Sequence, residues 1–365
     1  MRRVFVLGLA KQRVYFNNIN NINFTIHTFS TKADLQLLQK LRQETEVSIS
    51  KAKEALVINK NDYEKALSWV LEDAKTSGAI KAEKLRGRVA KEGLVGVVVN
   101  NIDKKDLSSQ RGAIVEVNCE TDFVSRNEMF KQFVAQIAST SLLLPVEDLS
   151  YDNELPTIQN IPLDLLKSSP LLPLPSITSY DHKFNTVEQS VGELIGKLGE
   201  NITLRRVAVV NMKDSCKENS RSIVTTGGYV HGGDELTGKI GGLILLQSSG
   251  ETSQQQQSSQ IISKLAKNLA RQVVGLNPKY INDDENNIIL DEEVEDRESF
   301  LNENVLMRQA SLWGGGLIRD VMKQTELNSK LQLKVLNFIR WECGEGIEKQ
   351  DTNFAAEVMK QAGLT

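Results

Sequence analysis

The chain has 365 residues, 40% hydrophobic and 25% charged, ordinary proportions for a globular protein long enough to form two or three domains. A formal net charge of −3 is the wrong sign for wholesale nucleic-acid binding. Three well-separated cysteines, Cys119, Cys216 and Cys343, supply neither a disulfide framework nor a CxxC metal pair, and they read as reduced, buried thiols of an intracellular protein.

Residues 1–33 carry Arg2, Arg3, Lys11, Arg13 and Lys32 among asparagines and hydroxyls, and Asp34 is the first acid. A basic, hydroxylated, acid-free leader predicts an organelle transit peptide rather than a merely disordered tail. We place it over 1–31, cut near Phe29–Lys32, with the mitochondrial matrix as destination. The apolar run Val4–Ala10 is too short for a bilayer, and no later run approaches the ~20 residues a span needs.

Residues 34–73 read as three short helices. Leu35, Leu38 and Leu41 share a face of the first. Ser48 or Ser50 caps a second that carries Ala52, Ala55 and Leu56. Asn61 caps a third, with Glu64 at N3 and a stripe of Tyr63, Ala66, Leu67, Val70 and Leu71. So small a bundle is marginal alone and is suited to docking on something. The basic connector Gly78–Arg88 reads as a solvated helix before a phosphate-binding patch.

From Gly93 the apolar period changes to two. Leu94–Asn100 and Ala113–Cys119 predict an antiparallel pair, followed by a helix with Phe130, Phe133, Val134 and Ile137 on one face. Six of the seven prolines fall between Pro145 and Pro175, so 141–186 is expected to be a loop insertion with little regular structure. A helix with Val187, Val191, Leu194, Ile195 and Leu198 on its stripe comes next, then strands at 202–212, 222–230 and 239–247. The Gln- and Ser-rich run Ser248–Gln260 reads as a low-complexity linker. Beyond it come a helix bearing Ile261, Leu265, Leu269 and Val273, an acidic loop over 282–298, a strand Val335–Cys343 and a helix over Phe354–Ala362. Strands followed by a helix occur twice, at 94–139 and 202–274, which predicts an α+β fold with two related subdomains.

The densest run of chemical groups is Glu116-Val-Asn-Cys-Glu-Thr-Asp-Phe-Val-Ser-Arg126. Cys119 as a nucleophile needs a base, and of the three histidines His27 lies in the leader and His182 in the insertion, leaving His231. Against that dyad, strand alternation puts Val115, Val117 and Cys119 on one face, where Cys119 is core. The glycine pairs 227–228, 232–233 and 241–242 and the triplet 314–316 lack phosphate-loop spacing and read as turns. Neither a metal site nor a cofactor is expected. Downstream, Ser125 and Glu128 have capping-box spacing, with Val124 and Met129 as a hydrophobic staple. On that register Asp122 and Phe123 lie just before the helix. The aromatic either folds into the core or projects toward a partner, and the adjacent acid favours projection because an unpaired buried carboxylate is costly.

These residues resemble a signature of the elongation factor Ts family, the exchange factors of elongation factor Tu. Leu41-Arg-Gln-Glu-Thr-Glu-Val-Ser-Ile-Ser-Lys-Ala-Lys-Glu-Ala-Leu56 resembles the family's other signature. Ser77–Ala82, Gly199–Val207, Tyr229-Val-His231 and Phe338–Lys349 match in family order, from residue 35 to the C-terminus. The leader then implies the mitochondrial form. The resemblance implies a ubiquitin-associated-like three-helix domain (34–78), core subdomains at 79–205 and 206–345, and a C-terminal helix in 346–365. It implies exchange without covalent chemistry: Asp122 and Phe123, flanked by Thr121 and Val124, disturb the magnesium and phosphate site of Tu so that GDP leaves. Arg42, Ile49 and Lys53 are implied to grip the GTPase domain, and His231 to face another domain of Tu. Glu46 stands where the family usually has glycine, and the stretch between Val274 and Leu301 is short for the coiled-coil hairpin of longer bacterial forms. Without the resemblance, a binding adaptor or a thiol enzyme stays open.

Overall fold

The computed structural model describes residues 32–45, 47, 49–101, 110–145, 156–173, 185–211, 222–283, 288 and 296–347. The leader, Ser48, Cys216 and the expected helix over Phe354–Ala362 lie outside them. The chain divides into one unit ending at Ser68 and a second beginning at Trp69.

The first unit contains α1 (Leu35–Thr45), α2 (Ile49–Ile58) and the start of α3 (Tyr63–Leu85), which carries the chain into the second unit. Leu41, Ala52, Ala55, Leu56 and Ala66 are fully buried. Leu35, expected on the core face, is exposed, because the stripe shifts inward to Leu37, Leu38 and Leu41. Ser50 lies inside α2 rather than at its cap. Asp62, not Asn61, caps α3, its Oδ1 accepting from Lys65 N at 3.2 Å. Asn61 is displaced to φ 61°, a left-handed conformation asparagine tolerates. There it accepts from Asp34 N at 3.0 Å and donates to Lys32 O at 3.0 Å.

The second unit is layered. Strands β1 (Glu92–Asn101), β2 (Gln110–Cys119), β3 (Thr157–Asn160), β4 (Ile202–Asn211) and β6 (Thr237–Gly238) form a five-stranded sheet in the order β3-β4-β2-β1-β6. Strands β5 (Ser222–His231), β7 (Ile240–Ser249) and β8 (Gln332–Glu342) form a three-stranded sheet in the order β5-β7-β8. Every strand pairing in both sheets is antiparallel, in keeping with the α+β expectation.

Period-two alternation builds three apolar layers. Leu94, Val98, Val115, Val117, Val207 and Val209 face α5 (Glu128–Ser141) and α7 (Val187–Leu198). Their alternates Val95, Val97, Ile114, Ala208 and Val210 meet Leu243, Leu245 and Val224 of the second sheet. Ile244 and Leu246 turn the other way, onto α8 (Thr252–Leu276) and α10 (Ile318–Ser329). The order is helices, sheet, sheet, helices. Gly227-Gly228 and Gly241-Gly242 lie inside β5 and β7 rather than in turns. A Cβ on Gly227 would come within 2.1 Å of Ala266 O on α8, and one on Gly241 within 2.6 Å of Val95 across the sheets. Close packing of layers, not chain reversal, requires these glycines. Gly232-Gly233 and Gly314–Gly316 do fall in bends and turns.

Four further expectations need correction. The insertion is more regular than its prolines suggest: β3 pairs with β4, and α6 (Leu163–Ser168) buries Leu166 in the helix-side core. Pro156 and Pro162 flank β3, an edge strand, where proline is tolerated. The supposed linker 248–260 completes β7 and then forms the first turns of α8. Glutamine is a good helix former, and Gln255 and Ser258 are buried on the face that packs inward. Ile262 rather than Ile261 is the buried member of that stripe. Of the acidic stretch, Arg297 onward is helical, as α9 (Arg297–Asn304), capped by Asp296.

Where the sheets end, Glu116 is buried and accepts from Arg205 Nη1 at 2.8 Å and Arg206 Nε at 2.6 Å. A register shift after Glu116 sets these two consecutive arginines against one acid. Gly344 N, just past β8, donates to the same carboxylate at 2.8 Å, so Glu116 joins the two sheets. The expected subdomain border at 205/206 falls inside β4, which belongs wholly to the first sheet.

Candidate functional site: an exposed Asp-Phe corner

Strand β2 delivers the chain to Cys119 and the backbone turns at Glu120. Thr121, extended at φ −121° and ψ 156°, caps α4 (Asp122–Ser125), its Oγ1 accepting from Val124 N at 3.4 Å. Asn127 then caps α5, accepting from Met129 N at 2.9 Å. The expected capping box is therefore absent. Ser125 closes α4 instead of opening α5, and its hydroxyl donates to Asp122 O at 2.9 Å. Two competing caps, Thr121 and Asn127, flank it with better backbone geometry.

Asp122 and Phe123 therefore lie in the first turn of a short helix. Phe123 is 81% exposed, while Val124 beside it is buried in the helix-side core with Met129 packed against the same cluster. Asp122 is half-exposed and pairs with Arg126 at 3.0 Å, an exposed i,i+4 pair of small worth. An aromatic held out of the core beside a loosely engaged carboxylate is suited to insertion into a partner.

Cys119 is fully buried and its thiol donates to Thr121 O at 3.2 Å. Burial first, then the Glu200 carboxylate, pushes the thiol up to about 12, so the nucleophilic thiolate does not form near neutrality. His231, proposed as its base, ends β5 as an exposed side chain. Cys343 is half-buried rather than buried, and burial raises its thiol to about 12 as well. Among the described residues, no group of three or more His, Cys, Asp or Glu could hold a metal, and no helix is long and apolar enough to cross a membrane.

Anchors around the corner come from residues that sequence reasoning passed over. Glu200 accepts from Thr121 N at 3.0 Å and from Thr121 Oγ1 at 2.6 Å. Asn201 N donates to Glu120 at 2.7 Å, and Asn201 Nδ2 to Arg88 O at 2.7 Å. Lys239 Nζ bonds Ser125 Oγ at 3.2 Å, Glu92 at 2.8 Å and Gly93 O at 3.1 Å. Lys239 N also donates to His231 O at 2.8 Å, and Asp234 of the same hairpin pairs with Lys131 of α5 at 3.0 Å. The structure thus joins the His231 hairpin to the Thr121–Ser125 corner. Glu200 and Asn201 belong to the Gly199–Val207 stretch, and their partners lie 79 and 81 residues away in the chain, beyond the reach of local pattern.

In the first unit, Arg42 is exposed near the end of α1 and donates to Val47 O at 3.4 Å. Ile49, 57% exposed, opens α2, and Lys53 is exposed one turn on, so the two share a face.

A family model described as Elongation factor TS matches residues 120–306, beginning at this corner. The mitochondrial elongation factor Ts of Laccaria bicolor is 34% identical over 351 residues, 92% of this chain and 100% of that protein. That of Nematostella vectensis is 34% identical over 322 residues, 85% of this chain and 99% of that protein. The elongation factor Ts of Rhodopseudomonas palustris strain BisB18 is 30% identical over 353 residues, 90% and 97% respectively.

Proposed function

The chain belongs to the elongation factor Ts family, and on that premise we propose that it is the guanine-nucleotide exchange factor for elongation factor Tu in mitochondrial translation. The observation that carries the reading is the exposure of Phe123 beside Asp122. Burying a phenylalanine side chain in a partner is worth about 1.5–3 kcal/mol. In this reading that energy is gained at the GTPase domain of Tu, close to its magnesium and phosphate-binding elements, and the Asp122 carboxylate adds a competing charge there. GDP loses part of its coordination and leaves, and GTP enters. The coupling is reciprocal: the factor weakens GDP by the same ratio that GDP weakens the factor. Only binding energy is used, so the chain needs no nucleophile and no cofactor of its own.

Thr121 and Val124 shape the base of the wedge. The three-helix unit, which we read as ubiquitin-associated-like, grips the GTPase domain through Arg42, Ile49 and Lys53. His231, on the hairpin tied to the corner by Lys239, faces a second domain of Tu. The leader over 1–31 directs the chain to the matrix. Neither nucleic acid nor membrane is a direct partner.

Release of fluorescent GDP from mitochondrial Tu tests the reading. Wild type accelerates release, Phe123→Ala and Asp122→Ala each lower the maximal rate by about tenfold or more, and Cys119→Ser stays near wild type. A wild-type protein without effect on GDP release overturns it.

A further inference from the structure

We propose that Glu200 is a positioning residue for the Asp122–Phe123 corner, holding Phe123 in its outward direction through Thr121 before any partner is met. The proposal rests on the exchange reading above. Helix α4 is only four residues long. One helical turn is unfavourable by itself in water, so its geometry must come from anchors. Phe123, at 81% exposure, contributes little restraint of its own. Downstream, the corner is held by buried Val124 and Ser125 and by Lys239 at Ser125 Oγ. Upstream, the helix begins at Thr121, and both donors of Thr121 go to Glu200, 79 residues away in sequence.

The chemistry of that contact is directional. A threonine hydroxyl has one proton. With that proton given to Glu200 at 2.6 Å, the oxygen turns its lone pairs toward the helix, where Val124 N donates at 3.4 Å. The carboxylate therefore orients the cap as well as the backbone. Charge assistance makes these bonds stronger than neutral ones. A second rung, Asn201 N to Glu120 at 2.7 Å, ties the adjacent residues in the opposite sense. Gly199, left-handed at φ 78°, ends α7 and turns the chain so that 200 and 201 meet 121 and 120. An aromatic wedge aimed in advance does not lose ordering entropy on binding.

The test uses the full chain carrying Glu200→Gln, Thr121→Val or both, with 4-fluorophenylalanine at position 123 for fluorine resonance in the free protein. Glu200→Gln is expected to broaden or split the fluorine line that wild type shows as one. In GDP release from Tu it raises the half-saturating concentration of factor by about tenfold, the worth of one charge-assisted bond. The maximal rate stays within about twofold, since a bound corner is realigned by its pocket. Phe123→Ala, by contrast, lowers the maximal rate. The double variant loses less than the sum of the two singles, because the hydroxyl–carboxylate bond is shared by both substitutions. An unchanged fluorine line, an unchanged half-saturation or additive losses overturn the role of Glu200 while leaving the exchange reading intact. A wild-type chain that fails to release GDP overturns both.

Discussion

Phe123 is exposed to 81% while the next residue, Val124, is buried, and that one-residue contrast defines the candidate site. Alternation along β2 made Cys119 legible as core from sequence, since Val115 and Val117 share its face. The cap was not legible. Ser125 and Glu128 have capping-box spacing, but spacing alone cannot say which of Thr121, Ser125 and Asn127 has extended backbone. Nor could it reveal Glu200, whose contact with Thr121 spans 79 residues. Reactivity belongs to this scale. With its thiol raised to about 12 from an ordinary 9.0, Cys119 stays protonated in the folded chain while the unfolded chain ionises above 9.0. The folded state then holds more protons, so stability falls as pH rises from 9.0 toward 12. Denaturant melts at pH 7, 8.5 and 10 are expected to show this loss, smaller in Cys119→Ser, and Cys119 should resist iodoacetamide at pH 8 until the chain is unfolded. Rapid alkylation of the native protein would refute its placement.

Elements with a clean period were read correctly: β1 with β2, the Phe130–Ile137 face of α5 and the Val187–Leu198 helix all stand where expected. Elements defined by composition were not. Prolines concealed β3 and α6, because a proline at the margin of an edge strand interrupts no ladder. Glutamine and serine repeats concealed the first turns of α8, whose inward residues, Gln255 and Ser258, are polar yet buried. Replacing Gln254–Gln257 by glycine distinguishes helix from linker. A helix loses roughly 2–3 kcal/mol over four such changes, read as a lower urea midpoint, whereas a linker would show no shift. The glycines of β5 and β7 carry the same lesson, since their reason lies across a layer and not along the chain.

At the scale of the molecule, two antiparallel sheets packed face to face and covered by helices form the body that holds the corner in place. Glu116 joins them, with Arg205, Arg206 and Gly344 N all on one buried carboxylate. Charge removal there leaves two arginines short of a partner, so Glu116→Gln is expected to lower unfolding free energy by about 3 kcal/mol or more, with an unchanged denaturant midpoint as the contrary result. What the whole molecule does rests on whether that body presents Phe123 to Tu. Stopped-flow release of fluorescent GDP from mitochondrial Tu, with wild type against Phe123→Ala at saturating factor, tests this most directly. The account predicts strong acceleration by wild type and loss of about tenfold or more in the variant; equal rates for the two proteins would contradict it.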